Sequence, residues 1–321
     1  MLPGPPRVGA VARGDGLLAE LALADGAVDR HAQERADPQL FDRLLAEAGT
    51  RVLEFVDGGV PVQGERGSRR LQWRGLTEAD RERLWYFLGR DLSDGAGAWM
   101  AVHVDPDHAQ DSPRSILRSV GLELPPHEAR LVATAQALTN WHLTHTHCPR
   151  CGAPTTPVQG GWVRRCSRDG SDHFPRTDVA VIMAVVDSQD RLLLAGAVGF
   201  TDRGMSVLAG FVEPGEDLGD AVRREVAEEV GVTIGDVVQL AAQPWPFPSS
   251  LMVGFRAAAL DDDLTLQDDE IRTARWFTRA ELDQALADES LLIPGRFSIA
   301  RRLIEEWYGG PIDVPDHNLR R

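Results

Sequence analysis

The sequence predicts an α+β protein: an N-terminal α+β domain, a cysteine-bearing insert, and a C-terminal domain that opens on buried strands. Three observations carry this. Apolar runs at 178–187 and 191–195, joined by a short polar turn at 188–190, read as paired strands. An amphipathic stretch over 217–232 begins after Pro214-Gly215 and ends at Gly231, which gives a helix with both ends marked. Cys148, Cys151 and Cys166 fall in one short window. A chain of 321 residues also exceeds what one core usually organises, so two globular units and an insert are expected.

In chain order, residues 1–12 are expected to form a disordered tail, since the Pro- and Gly-rich start has neither the basic head nor the apolar run of a secretory signal. Residues 13–125 form the N-terminal domain, strand-like at 50–56, helical at 78–89 and looped at 105–113. Residues 126–176 hold a linker helix, over 126–145, and the cysteine insert; residues 177–321 form the last domain. Internal repeats and low-complexity segments are not evident.

A net charge of −15 argues against broad adhesion to nucleic acid, which rests on many cationic contacts to phosphate. All 34 basic residues are Arg, which excludes lysine-dependent chemistry. No apolar run approaches a membrane span, and the chain is expected to be cytoplasmic. Three clustered cysteines favour a metal site over a disulfide framework.

On the helix, Leu218, Ala221 and Val222 share a stripe that Glu225, Glu228 and Glu229 continue. Acids at spacings of three and four repel one another, and near a helix C-terminus they meet the negative end of the macrodipole. A solvated face is the ordinary role of such glutamates. Their position in line with the apolar stripe instead calls for a cation: a hard divalent ion such as Mg²⁺, with Arg224 neutralising part of the remainder.

Gly210, Glu216 and the run Arg224-Glu225-Val226-Ala227-Glu228-Glu229-Val230-Gly231-Val232 together resemble a complete Nudix box. The resemblance implies a Nudix α/β/α sandwich with a mixed sheet over 177–321. It implies catalytic Mg²⁺ or Mn²⁺ held by Glu225, Glu229 and the Ala209 carbonyl, with Glu228 close by. The general base among these glutamates is left open. Downstream, Gln243-Pro244-Trp245-Pro246-Phe247-Pro248-Ser249-Ser250 resembles the hallmark loop of the NADH pyrophosphatase (NAD-capped RNA hydrolase) subfamily, departing from it only at Ala242, where that subfamily has Ser. Taken alone this is a proline-rich loop whose fixed φ angles hold Trp and Phe rigidly. The resemblance places dinucleotide contacts on residues 243–250, with Met252 as a neighbour and Phe211 stacking on a base. It also completes the metal set with Glu270, which otherwise reads as part of a solvated acidic run with Asp268 and Asp269, and sets Ala300 against substrate. Phe174 is a substrate contact or a core aromatic, Arg301 and Arg302 are phosphate contacts or a solvated face, and Arg118 is a weak substrate-contact candidate.

Cys148-Pro149-Arg150-Cys151 forms a knuckle, with Cys166 following. A four-coordinate structural Zn²⁺ would take its fourth ligand at position 169, where the subfamily has Cys and this chain has Asp169. His173 and a metal-free ribbon of three reduced thiols remain alternatives. Arg150, Arg164, Arg165, Arg168 and Arg176 form a basic cluster that either balances nearby acids or guides the phosphates of an NAD-capped RNA.

The expected function is metal-dependent hydrolysis of the diphosphate of NADH and NAD, giving AMP and the mononucleotide, with deNADding of NAD-capped RNA as a related activity and a homodimer implied by the resemblance. ADP-ribose or dinucleoside polyphosphates are the alternative substrates. A zinc-ribbon RNA-binding protein with an idle Nudix fold is the alternative class.

Overall fold

A computed structural model describes residues 18, 21–24, 28–91, 97–266, 270–317 and 319. The tail expected over 1–12 lies outside the described residues, as do Asp268 and Asp269. The chain divides into two compact units: one holds Asp25–Asp178 and Pro244–Leu251, the other Met1–Ala24, Val179–Gln243 and Met252–Arg321. From residue 25 on, the expected segments 13–125 and 126–176 thus fall in one unit.

In the first of these, helix α1 (Leu40–Ala46) lies against strands β1 (Arg51–Phe55), β4 (Leu84–Arg90) and β5 (Ala98–His103). The three form a sheet in the order β1-β5-β4, with β1 parallel and β4 antiparallel to β5. Leu40, Phe41, Leu44, Val52, Phe87, Met100 and Val102 close its core. A second small sheet orders β3 (Arg70–Leu71), β2 (Gly59–Gln63) and β6 (Arg114–Ile116), which leads into the short α2 (Leu117–Val120). The strand expected at 50–56 is β1. The helix expected at 78–89 is not formed: a 3-10 turn at Glu78–Asp80 gives way to β4. Trp85, Tyr86 and Phe87 are aromatic strand formers, and consecutive burial of Tyr86, Phe87 and Leu88 suits a strand covered on both faces better than an amphipathic helix.

Helix α3 (Pro126–Thr144) starts with Pro at its first position and buries Leu131, Val132, Ala135, Leu138, Trp141 and His142. It runs into a ribbon of β7 (Thr155–Val158), β8 (Val163–Cys166) and β9 (Asp172–His173). His142 joins helix and ribbon. The Arg164 guanidinium donates to its Nδ1 (2.8 Å), so Nε2 carries the proton and donates to the Gly161 carbonyl (2.7 Å). Burial holds its pKa down to about 4, keeping it neutral. Gly161, at φ 82°, lies against β4, where an added Cβ would come within 2.5 Å of the Trp85 carbonyl.

The other unit is built on one sheet in the order β13-β14-β10-β11-β15, with β12 also paired to β10. Its strands are β10 (Asp178–Val186), β11 (Leu192–Ala197), β12 (Leu208–Phe211), β13 (Ile234–Trp245), β14 (Ser250–Ala259) and β15 (Ile271–Phe277). Its helices are α4 (Leu218–Val230), α5 (Arg279–Ala287) and α6 (Ile299–Tyr308). Ile182, Ala184, Leu192 and Leu194 share a core with Leu282 of α5 and Ile299, Leu303 and Trp307 of α6. Val181, Met183, Val185 and Leu193 point to the opposite face and are equally buried, on the side left to α4. The sheet is therefore covered on both sides, as a sandwich requires.

Candidate active site

Helix α4 begins where Asp217 caps it, its Oδ1 accepting from the Gly219 (2.7 Å) and Asp220 (3.1 Å) amides. It ends at Gly231, at φ 75°. Both ends lie where the sequence puts them. The inward face holds Ala221, Val222, Val226, Val230 and also Glu229, which is only 7% exposed. Glu225 is half-buried. The Glu228 side chain, at 56% exposure, points outward. Geometry explains the split: at 100° per residue Glu229 falls about 20° from Val222 around the helix, and Glu228 about 120°. Two of the three acids expected on the inner face are there.

Arg224 organises what lies around them. Its Nε and Nη2 grip both oxygens of Glu216 (2.8 and 2.9 Å), and Nη1 reaches Glu225 (3.0 Å) and Glu228 (2.9 Å). Nη2 also donates to the Phe211 carbonyl (2.8 Å), which ties α4 to the end of β12. The hydrogen bonds to Glu216 lead the causes that raise the Arg224 pKa, and they hold the Glu216 carboxyl below its ordinary range. Glu225 goes the other way: burial pushes its pKa up, only partly opposed by Arg224. A carboxylate that resists ionising alone, beside a second buried one, is a site that gains from a cation.

The strand beneath is shaped for Glu225. β12 pairs with β10 in the register Ile182 to Ala209, Val181 to Gly210 and Ala180 to Phe211. A Cβ on Gly210 would overlap the Glu225 carboxylate, so this glycine is the floor on which that group rests. Ala209 is exposed beside it, and the Phe211 ring is 60% exposed. Glu270 is exposed immediately before β15, a strand that α4 touches, and its carbonyl accepts from the Val198 amide (2.8 Å). Oxygen donors of this kind suit Mg²⁺ or Mn²⁺ rather than a thiophilic metal.

The proline-rich segment forms the tip of the β13–β14 hairpin. Trp245 and Phe247 meet edge to face (5.1 Å, 74°), and the Phe247-Pro248 bond is cis. Arg118 lies over both rings, at 4.9 and 4.2 Å from their centroids. Asn140 of α3 donates to the Pro246 (3.1 Å) and Pro248 (2.9 Å) carbonyls, and Ser249 Oγ donates to Asp178 (2.7 Å). Pro244 and Ser250 are half-buried, and Met252 packs on the core shared by α5 and α6. Gln243 is fully buried: its Nε2 donates to the Ala22 and Phe297 carbonyls (2.9 and 2.8 Å), and its Oε1 accepts from the Ile299 amide (2.8 Å) at the start of α6. Ala300 is buried in the same core. Any role of these two toward substrate is exercised through what they hold. Asn140 had no signal in the sequence, because a helix asparagine reads as solvated until its partner on a distant loop is known.

Cys148, Cys151, Cys166 and Asp169 present ligand atoms that all lie within 4.8 Å of one another, a gathering fit for a four-coordinate ion. Cys151 and Cys166 sulfurs are 3.4 Å apart, and Cys148 Sγ lies 3.9 Å from Asp169. Burial works to raise the Cys148 pKa, but amides of Arg150 and Cys151 and the Ser171 hydroxyl bring it down to about 6, favouring the thiolate a metal needs. His173 instead faces the Ser171 hydroxyl (3.1 Å) and stands outside this group.

Burial and ion pairing show where several of the cationic and aromatic residues sit. Arg164 is a buried strut, bonded to His142 and to Thr155 through its hydroxyl (2.7 Å) and carbonyl (2.7 Å), so it cannot guide an RNA backbone. Arg165 and Arg176 pair with Asp172 (2.7 Å) and Asp178 (2.8 Å), and Arg168 bonds the Cys151 carbonyl (3.1 Å). Arg301 is neither a solvated residue nor a phosphate contact: fully buried, it pairs with Glu305 (2.9 Å) and the Pro294 carbonyl (3.2 Å). Arg302 pairs with the other oxygen of Glu305 (2.9 Å). Phe174 is 65% exposed and is not a core aromatic.

Comparison with known proteins agrees with this geometry. The NUDIX domain profile matches residues 176–294, and that of the NADH pyrophosphatase zinc ribbon domain matches 143–174. The chain is 42% identical over 233 residues to proteins named NAD-capped RNA hydrolase NudC from Mycobacterium bovis and Mycobacterium tuberculosis, covering 69% of this chain and 74% of theirs. The chain belongs to the NADH pyrophosphatase subfamily of Nudix hydrolases. It is also 37% identical over 264 residues to the human NAD-capped RNA hydrolase NUDT12, spanning 74% of this chain and 56% of that one. The glutamates of α4 fall within the NUDIX match, and the three cysteines with Asp169 within the zinc ribbon match. No helix among the described residues is long and apolar enough to cross a membrane.

Proposed function

We propose that this chain hydrolyses NADH and NAD at the diphosphate, releasing AMP and NMNH or NMN, and that it removes the NAD cap from RNA. The observation that carries the reading is the joint placement of Glu225 over Gly210, Glu229 on the buried face of α4, and Arg224 holding Glu216, Glu225 and Glu228 in register. Glu225, Glu229, Glu270 and the Ala209 carbonyl would hold Mg²⁺ or Mn²⁺. When bound, such an ion neutralises the diphosphate and lowers the pKa of a coordinated water. Glu225, Glu228 or Glu229 would take a proton from the attacking water, whose oxygen bonds to one phosphorus while the bridging P–O bond breaks and the other phosphate leaves with the bonding electrons. Arg224 acts on the carboxylates, keeping their orientation while their charges repel. Family membership supports base stacking by Phe211, whose ring is exposed, and dinucleotide contacts by residues 243–250. An idle fold would have no use for two buried or half-buried acids that repel each other.

Incubation with NADH and Mg²⁺ should yield AMP and NMNH in equal amounts by chromatography. ADP-ribose with free nicotinamide would overturn the reading, because a different bond would have broken. Faster turnover of ADP-ribose or a dinucleoside polyphosphate than of NADH would move the assignment to those substrates. A cytoplasmic homodimer is the form we propose, on the strength of the family.

For the ribbon we propose structural Zn²⁺ on Cys148, Cys151, Cys166 and Asp169. Purified protein should carry about one zinc per chain by elemental analysis. Asp169→Ala should lose it readily to a chelator, and Asp169→Cys should hold it more firmly. Undiminished zinc in Asp169→Ala would remove Asp169 from the ligand set.

A further inference from the structure

We infer that Asn140 is a positioning residue for substrate binding: from α3 it fixes the backbone that carries Trp245 and Phe247. The inference rests on the proposed role of that loop in holding the dinucleotide.

The loop has an unusual need. Pro244, Pro246 and Pro248 have no N–H, so alternate residues cannot join a strand ladder as donors. The intervening Phe247 amide is already spent on the Trp245 carbonyl (2.7 Å). The neighbouring prolines offer the Pro246 and Pro248 carbonyls no amide donor, and the Asn140 side chain donates to both, one N–H to each (3.1 and 2.9 Å). Its own orientation is set by Gln136, one turn back, whose Nε2 donates to Asn140 Oδ1 (2.7 Å). That contact points the oxygen toward Gln136 and both N–H groups toward the loop. Gln136 is itself buried, which makes the chain Gln136 to Asn140 to loop a rigid one. Asn140 holds the main chain on each side of Phe247, while the Arg118 guanidinium lies 4.9 and 4.2 Å from the centroids of the two rings. With the backbone pinned, the rings meet a ligand preorganised, and the cost of ordering them is not taken from binding.

Asn140→Asp is the sharp substitution. It keeps size and shape but sets a carboxylate oxygen against two carbonyl oxygens. Asn140→Ala removes both donors without repulsion, and Asn140→Ser, which retains one hydroxyl, serves if either of the others does not fold. Steady-state kinetics on NADH with saturating Mg²⁺ should show KM raised about tenfold in Asn140→Ala, from two hydrogen bonds lost, and further in Asn140→Asp, with kcat within about twofold of the parent. A merely structural role would lower the melting midpoint and leave KM where it was. Trp245→Ala is the companion measurement. If it raises KM while the Asn140 variants do not, the positioning role is overturned and the loop reading stands. If Trp245→Ala leaves KM unchanged, the loop does not bind substrate and this inference falls with that reading.

Discussion

Glu229→Gln should lower kcat on NADH by about a thousandfold or more while leaving the fold intact. The substitution keeps the volume and hydrogen-bonding reach of the side chain but removes its charge, at a position only 7% exposed on the inner face of α4. A metal site contributes several kcal/mol of charge stabilisation in the transition state, and each 1.36 kcal/mol lost is about a factor of ten in rate. The stability term runs the opposite way. Glu229 sits in the last turn of α4, where the helix dipole opposes negative charge, and four residues after Glu225, a like charge. Without added metal, the melting midpoint of Glu229→Gln should therefore equal or exceed that of the parent. The gain in midpoint that Mg²⁺ gives the parent should shrink in the variant, because a ligand stabilises only in proportion to its affinity for the folded state. Glu228→Gln is the comparison: its side chain is mostly exposed. Parent-like turnover in Glu229→Gln would take this residue out of the metal shell.

How far the sequence could be read depended on whether a residue's partners are near in the chain. Helix α4 was legible from Asp217 to Gly231, because caps, apolar stripe and acid spacing are all local. The knuckle of Cys148 and Cys151 and the register of Asp169 were local too, and the structure gathers those four groups. Glu228 turned outward because the stripe was drawn too wide, a matter of angle on one helix. The aromatic run at 85–87 fits a helix over 78–89 as far as the sequence shows, since nothing nearby reveals that both of its faces are covered. Arg164 and Arg301 look like surface charges in the sequence for a similar reason. Each is buried by elements distant in the sequence or by backbone carbonyls that sequence patterns do not display. Asn140 and Arg118 lie more than a hundred residues from the loop they hold, and only the fold brings them to it.

Gly210→Ala tests the same centre from its floor, and the expected loss of kcat is about a hundredfold or greater. Nothing in the glycine's own backbone demands glycine, since its φ lies outside the left-handed region, so alanine can adopt the strand conformation. The added methyl has no room, because the Glu225 carboxylate already fills that space. The strand cannot slide to make room: its pairing with β10 is fixed on both sides of the position, from Leu208 to Phe211. Nor can Arg224 yield freely, since the same guanidinium is bonded to Glu216, Glu228 and the Phe211 carbonyl. The group that moves is therefore the Glu225 side chain, which swings off its bond to Arg224 and out of line with Glu229. A displacement of about 1 Å in a catalytic group costs on the order of a hundredfold in rate. Gly199→Ala, at a position where an added Cβ meets nothing within 4 Å, controls for the substitution itself and should retain parental activity. If Gly210→Ala kept more than half of the parental kcat, Glu225 would have found another route to the metal, and the fit between this strand and that carboxylate would not be what organises the site.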